Sequence, residues 1–154
     1  QYGEEQKSRK IARAIAEARI TNPIETTGQL ARIIKDTRPQ MPAKTLARIF
    51  QAIRIKVNDE LGELEQGLNT GVEMSASGGR IVVLSYHSLE DRMVKETFRR
   101  LASPCTCPPR LPSCVCGKTP VIKIITKKAM VPTPRQITEN SRARSAKLRA
   151  AEKT

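Results

Sequence analysis

Arg80-Ile81-Val82-Val83-Leu84-Ser85-Tyr86-His87-Ser88-Leu89-Glu90-Asp91-Arg92, residues 80–92, changes its periodicity at the middle. Residues 80–86 form a near-continuous apolar run rich in β-branched side chains, which suits a strand covered on both faces, as in a parallel sheet. From Ser88 onward, Leu89, Met93, Val94, Phe98 and Leu101 fall on one helical stripe. Ser88, with Asp91 three residues on, is expected to cap that helix. A strand that feeds a helix through a short polar turn is half of a βαβ unit. Tyr86, His87 and Ser88 then stand at the carboxyl end of the strand, where open α/β sheets bind ligands. His87, the single histidine, either faces that crevice or is a polar residue of the turn.

Upstream, Ser77-Gly78-Gly79 reads as a turn, and what precedes it is helical. Residues 8–20 place Ile11, Ile15 and several alanines on one stripe, and Asn22-Pro23 ends the helix because the residue before proline avoids the helical region. Thr26 and Gln29 match a capping box ahead of Leu30, Ile33 and Ile34. Pro42 suits the first turn of the next helix. Leu46, Ile49, Phe50, Ile53, Val57, Leu61 and Leu64 then continue at spacings of three and four, a helix of about six turns at 3.6 residues per turn. On it Arg54 and Asn58 share a face at i,i+4 spacing. Asn58 is read either as a contact to a base edge or as a buried amide satisfied by neighbouring backbone, while Glu60 and Glu63 read as a solvated face.

Downstream, a proline-rich cysteine segment leads to a second strand candidate, Val121-Ile122-Lys123-Ile124-Ile125-Thr126. The tail from Thr138 is expected to be a short helix or an ordered RNA-facing arm. One strand–helix unit plus one further strand makes no stable doubly wound sheet, so the chain looks as though the start of its sheet is missing.

Charge says what the surface meets. Lys and Arg total 28 against 15 Asp and Glu, a net +13 with a sequence pI near 10.1. The excess is clustered, at Arg9, Lys10 and Arg13, at Lys123, Lys127 and Lys128, and at Arg142, Arg144, Lys147 and Arg149. Clustered cations point to a polyanion, whose counterions they release on binding. No run approaches the roughly 20 apolar residues of a membrane span, and no signal-peptide pattern opens the chain. The expectation is a soluble, cytoplasmic protein. All four cysteines fall between Cys105 and Cys116. Cys105-x-Cys107 and Cys114-x-Cys116 resemble a four-thiolate zinc set, although C-x2-C is the commoner spacing. A structural zinc, a disulfide and reduced thiols remain the three readings of the loop.

Several longer motifs carry a family resemblance. They are Tyr2-Gly3-Glu4-Glu5 with Ser8-Arg9-Lys10-Ile11-Ala12-Arg13-Ala14-Ile15, and Phe50-Gln51-Ala52-Ile53-Arg54-Ile55 with Val57-Asn58-Asp59-Glu60-Leu61. Further on come Gly78-Gly79-Arg80, Ser85 through Arg92, Cys105-Thr106-Cys107-Pro108-Pro109, and Arg142 through Arg149. The chain from Tyr2 to about Lys153 resembles the C-terminal part of the bacterial small-subunit ribosomal RNA (cytosine-N4) methyltransferases.

That resemblance implies methyl transfer from S-adenosylmethionine to the N4 amine of a cytosine near the decoding site. It implies an α/β fold, the C-terminal portion of a Rossmann-like methyltransferase sheet preceded by an inserted helical domain. Residues 1–76 would be the helical insertion, 77–135 the last strands and helix with the cysteine loop 105–116, and 136–154 a basic C-terminal tail. The family's glycine-rich cofactor loop and acidic ribose-binding residue lie upstream of Tyr2, and no G-x-G-x-x-G occurs here. The chain alone is therefore expected to lack the cofactor-binding half and to be inactive, with no catalytic residue of its own. Arg54, Asn58, Tyr86, His87, Ser88, Arg142, Arg144, Lys147 and Arg149 are the candidate contacts to small-subunit ribosomal RNA or the small ribosomal subunit. The alternative is a non-enzymatic basic RNA- or ribosome-binding module with a structural zinc loop.

Overall fold

The computed structural model describes residues 5–108 and 115–154, which divide into two compact units, 1–60 and 61–154. The first unit is helical: α1 (Ser8–Thr21), α2 (Thr27–Asp36) and α3 (Pro42–Val57). Ile11, Ile34 and Ile55 are its buried apolar side chains, one from each helix. The capping box read from Thr26 and Gln29 is present, with Gln29 N–H donating to Thr26 Oγ1 at 3.2 Å and Thr26 N–H to Gln29 Oε1 at 2.9 Å. Pro42 opens α3, where its missing N–H is harmless. Lys10 Nζ donates to the Thr37 carbonyl at 2.9 Å, so a cation of the first basic cluster ties α1 to the end of α2. Glu5 accepts from Thr45 and Arg48 and so holds the start of the chain to α3.

The expected six-turn helix is two helices. α3 stops at Val57, Asp59 takes a left-handed φ of 49°, and α4 runs Glu60–Met74. Asp tolerates that conformation better than most residues because its short polar side chain bonds locally. Periodicity alone could not reveal the break, since the apolar spacing continues across it. The end of the expected stripe is also outside, with Val57 76% exposed.

In the second unit, β1 (Arg80–Ser85) is followed by α5 (Ser88–Ala102), β2 (Ile122–Ile124), α6 (Pro134–Glu139), a 3-10 turn (Ser141–Ser145) and β3 (Lys147–Lys153). The sheet order is β1-β3-β2, and β3 is antiparallel to both neighbours. β1 and β2 therefore run the same way, joined through α5, with the C-terminal strand slipped between them. Two expectations change. Among the described residues β1 pairs with an antiparallel strand alone, and Val82 and Leu84 on its outer face are exposed. The tail begins at the end of a short helix and a 3-10 turn, as its helical reading expected, but it ends as the central strand of the sheet and not as an arm. Lys, Ala and Glu are poor strand formers, and the backbone pairing available on both sides outweighs that preference.

Strand alternation sorts the sheet's two faces. Ile81, Val83 and Ile124 turn to the side covered by α4 and α5, where Leu68, Val72, Val94, Phe98, Ile122 and Ala151 form the core. The register pairs Ile81 with Ala151, Val83 with Arg149 and Ser85 with Lys147 on that side. The turn before β1 needs its glycines. Gly78 has φ 80°, and a Cβ on Gly79 would lie 2.8 Å from the Ala76 carbonyl oxygen.

Candidate functional site

The β1–α5 junction is built around Glu90. Its Oε2 accepts from the backbone N–H of Tyr86 at 2.8 Å and of His87 at 3.2 Å. Glu90 N–H in turn donates to His87 Nδ1 at 3.3 Å, so His87, not Ser88, is the N-cap of α5. Ser88 is the first helical residue. The partner three residues on is Glu90 rather than Asp91, because the box is counted from His87. Nδ1 as acceptor puts the proton of the neutral ring on Nε2. Nε2 is buried 3.1 Å from Glu90 Oε1, at an angle too oblique for a hydrogen bond. At the junction Tyr86 (53%) and Ser88 are exposed, and His87 is half-buried.

Asp91 faces the sheet from the first turn of α5. Arg149 Nε donates to one carboxylate oxygen at 2.7 Å and Lys147 Nζ to the other at 3.1 Å. Burial pushes the carboxyl pKa up, but the hydrogen bonds and charges of Arg149 and Lys147 outweigh it and hold the group below its ordinary value. Two of the four tail cations are thus engaged inside the unit. The other two, Arg142 and Arg144, lie exposed on the 3-10 turn.

Beside this cluster lies a groove of about 310 Å³ lined by Lys95, Phe98, Arg99, Ile124, Lys127 and Arg149 among others. Lys95 and Arg99 are i,i+4 neighbours on α5, and Lys127 arrives from the segment after β2. Lys95, Arg99 and the acidic partner Asp91 were missed as site residues in the sequence. A signal for the first two existed in their spacing, but the third wall, Lys127, is contributed by chain 28 positions beyond Arg99. A basic groove of this kind can seat phosphate oxygens.

On the opposite face of the sheet, a cleft of about 430 Å³ is lined by Leu84, Tyr86, Met130, Gln136, Asn140 and Leu148 among others. Its walls combine apolar side chains with the Tyr86 ring and two amides, which suits an apolar chain segment or a flat aromatic ring. In the helical unit, Arg54 and Asn58 do share a face, and both turn onto Glu60. Arg54 makes a forked pair at 2.6 and 3.0 Å and the Asn58 amide donates at 3.3 Å. Glu60 is accordingly the acceptor that closes the α3–α4 break, not part of a solvated face.

Cys105, Cys107 and Cys116 bring their sulfurs within 4.8 Å of one another, while Cys114 lies outside the described residues. Tyr2, Gly3, Glu4 and Pro109 of the family motifs fall outside them as well. Among the described residues, no helix is long and apolar enough to cross a membrane.

Comparison with known proteins gives a family. The model of the MraW methylase family matches residues 1–154. A protein of Carboxydothermus hydrogenoformans named ribosomal RNA small subunit methyltransferase H is 54% identical over 99% of this chain and 50% of its own length. Proteins with the same name from Clostridium botulinum and Geobacter sulfurreducens are each 52% identical, again over 99% of this chain and 50% of theirs. The chain spans about half the length of the curated relatives it matches.

Proposed function

The chain belongs to the MraW methylase family, and from that premise we propose that it forms part of an S-adenosylmethionine-dependent methyltransferase acting on the N4 amine of a cytosine in small-subunit ribosomal RNA. It supplies RNA docking and one wall of the active site, while the cofactor is held mainly by segments outside residues 1–154. The fold that goes with this is a Rossmann-like sheet of which residues 77–135 are the last strands and helix. Residues 1–76 are the inserted helical domain, with α4 packing its Leu68 and Val72 onto the sheet. Residues 136–154 carry the basic turn and the strand that closes the sheet.

The position of β1 carries this reading. Among the described residues it is an edge strand of the sheet, it leaves Val82 and Leu84 exposed, and it ends at Tyr86 and His87. A further parallel strand laid beside it would pair with its outer backbone edge and bring its own carboxyl end to the same junction, while a layer packed on the outer face would cover Val82 and Leu84. S-adenosylmethionine supplies an electrophilic methyl group to the amine. The residues of this chain bind, orient and exclude water. Lys95, Arg99 and Lys127 take the phosphates, and Tyr86 offers a ring on which an extruded base can stack. Extrusion costs a few kcal/mol, which phosphate contacts offset. His87 is held as a cap by Glu90 and positions the junction, and no proton transfer is assigned to it. The working place of such an enzyme is the cytoplasm.

Calorimetry with S-adenosylmethionine tests the division of labour. Residues 1–154 alone are expected to give no binding isotherm, and the chain extended upstream is expected to bind. Failure of both to bind would favour the non-enzymatic RNA-binding module instead.

A further inference from the structure

We propose that Cys105, Cys107 and Cys116 hold a structural zinc ion that pins the loop between α5 and β2. The three sulfurs come from two Cys-x-Cys units and converge within 4.8 Å. Cys105 and Cys116 sulfurs are 3.8 Å apart. Tetrahedral zinc with bonds of about 2.3 Å sets its sulfur ligands about 3.8 Å from one another. A disulfide would require about 2.05 Å. Cys116 and Cys105 are thus a thiol hydrogen-bonded pair, not a disulfide, at a spacing that zinc co-ligands also take.

The loop is shaped to bring them there. α5 ends at Ala102, and Val121 N–H donates to the Leu101 carbonyl at 3.1 Å, so the loop's two ends are clamped together. Gly117, directly after Cys116, has φ 64°, a left-handed conformation that glycine adopts without strain. Lys118 Nζ reaches Thr106 Oγ1, between Cys105 and Cys107 in the chain, at 3.5 Å. Val115, beside Cys116, is 75% exposed, and a metal would cross-link the segment without an apolar core. An all-sulfur donor set selects zinc over the hard cations. Cys114 lies outside the described residues, and the three described sulfurs supply three of the four ligands that a tetrahedral zinc takes.

The inference is independent of methyl transfer, because metal content is read without any activity. The protein, purified under reducing conditions without chelator, is analysed by native mass spectrometry and elemental analysis. About one zinc per chain is expected, released in step with the titration of thiols by a mercurial reagent. Replacement of zinc by Co²⁺ should give the intense visible bands of a tetrahedral thiolate site. Cys105→Ser combined with Cys116→Ser should abolish both signals while α5 and the sheet stay folded by circular dichroism. Zinc below about a tenth of an equivalent in the wild-type protein after growth with added zinc would overturn the proposal. So would a weak octahedral cobalt spectrum, iron with acid-labile sulfide, or a mass lowered by two hydrogens per cysteine pair. The wild-type measurements decide the matter even if the double variant fails to fold.

Discussion

At Asp91, changing one carboxylate oxygen to an amide nitrogen keeps the volume and removes the charge that Lys147 and Arg149 hold. Asp91→Asn leaves Arg149, whose side chain is 11% exposed, beside a neutral partner. Loss of one member of a largely buried pair costs about 2–4 kcal/mol, read as a lowered denaturation midpoint. The pH dependence has a definite sign. The folded carboxyl titrates below its ordinary value near 3.8, so its stabilisation is fully present above about pH 4 and is lost as pH falls through the lower folded value. Acid titration of Asp91→Asn should lack that part of the slope. His87 gives a second case. His87→Ala removes the Nδ1 acceptor and should cost about 1 kcal/mol, whereas His87→Asn, a good cap, should restore most of it in thermal melts. The Thr26–Gln29 cap was legible in the sequence because both partners lie within one turn. The Asp91 cluster was not, because its cations stand 56 and 58 positions away and only the sheet register brings them together.

At the scale of elements, β1 and α5 were readable where they lie, and β3 was not. The run 80–86 is apolar and β-branched, and residues 88–102 carry a single stripe, so each announces its own period. The β3 segment reads Lys147-Leu148-Arg149-Ala150-Ala151-Glu152-Lys153, which no local preference marks as a strand. It becomes one because β1 and β2 present backbone donors and acceptors on both sides, and because small Ala151 fits beneath the helices. The α3–α4 break makes a separate prediction. Asp59 sits at φ 49°, so Asp59→Gly should be neutral or stabilising, while Asp59→Val should cost about 1–2 kcal/mol in chemical denaturation. A continuous helix through residue 59 would give the reverse order.

Across the whole molecule, a net charge of +13 becomes two local arrangements in the second unit. One is internal, with Lys147 and Arg149 on Asp91. The other is outward, with Lys95, Arg99 and Lys127 around the groove. The sequence could state the excess and its clusters, but not which cations turn inward. Replacing Lys95, Arg99 and Lys127 by Gln should weaken small-subunit ribosomal RNA binding and lower the slope of log K against log salt by about 2–3, near 0.7–0.9 per contact. In the proposed function Lys95, Arg99 and Lys127 serve methyl transfer to that RNA. The most direct measurement is nucleoside mass spectrometry of small-subunit ribosomal RNA after incubation with S-adenosylmethionine and the full-length protein or its groove variant. The prediction is N4-methylcytidine with the wild-type protein and a loss of at least about tenfold in rate with the variant, S-adenosylmethionine affinity being unchanged. No N4-methylcytidine with the wild-type protein, or an undiminished rate with the variant, would contradict it.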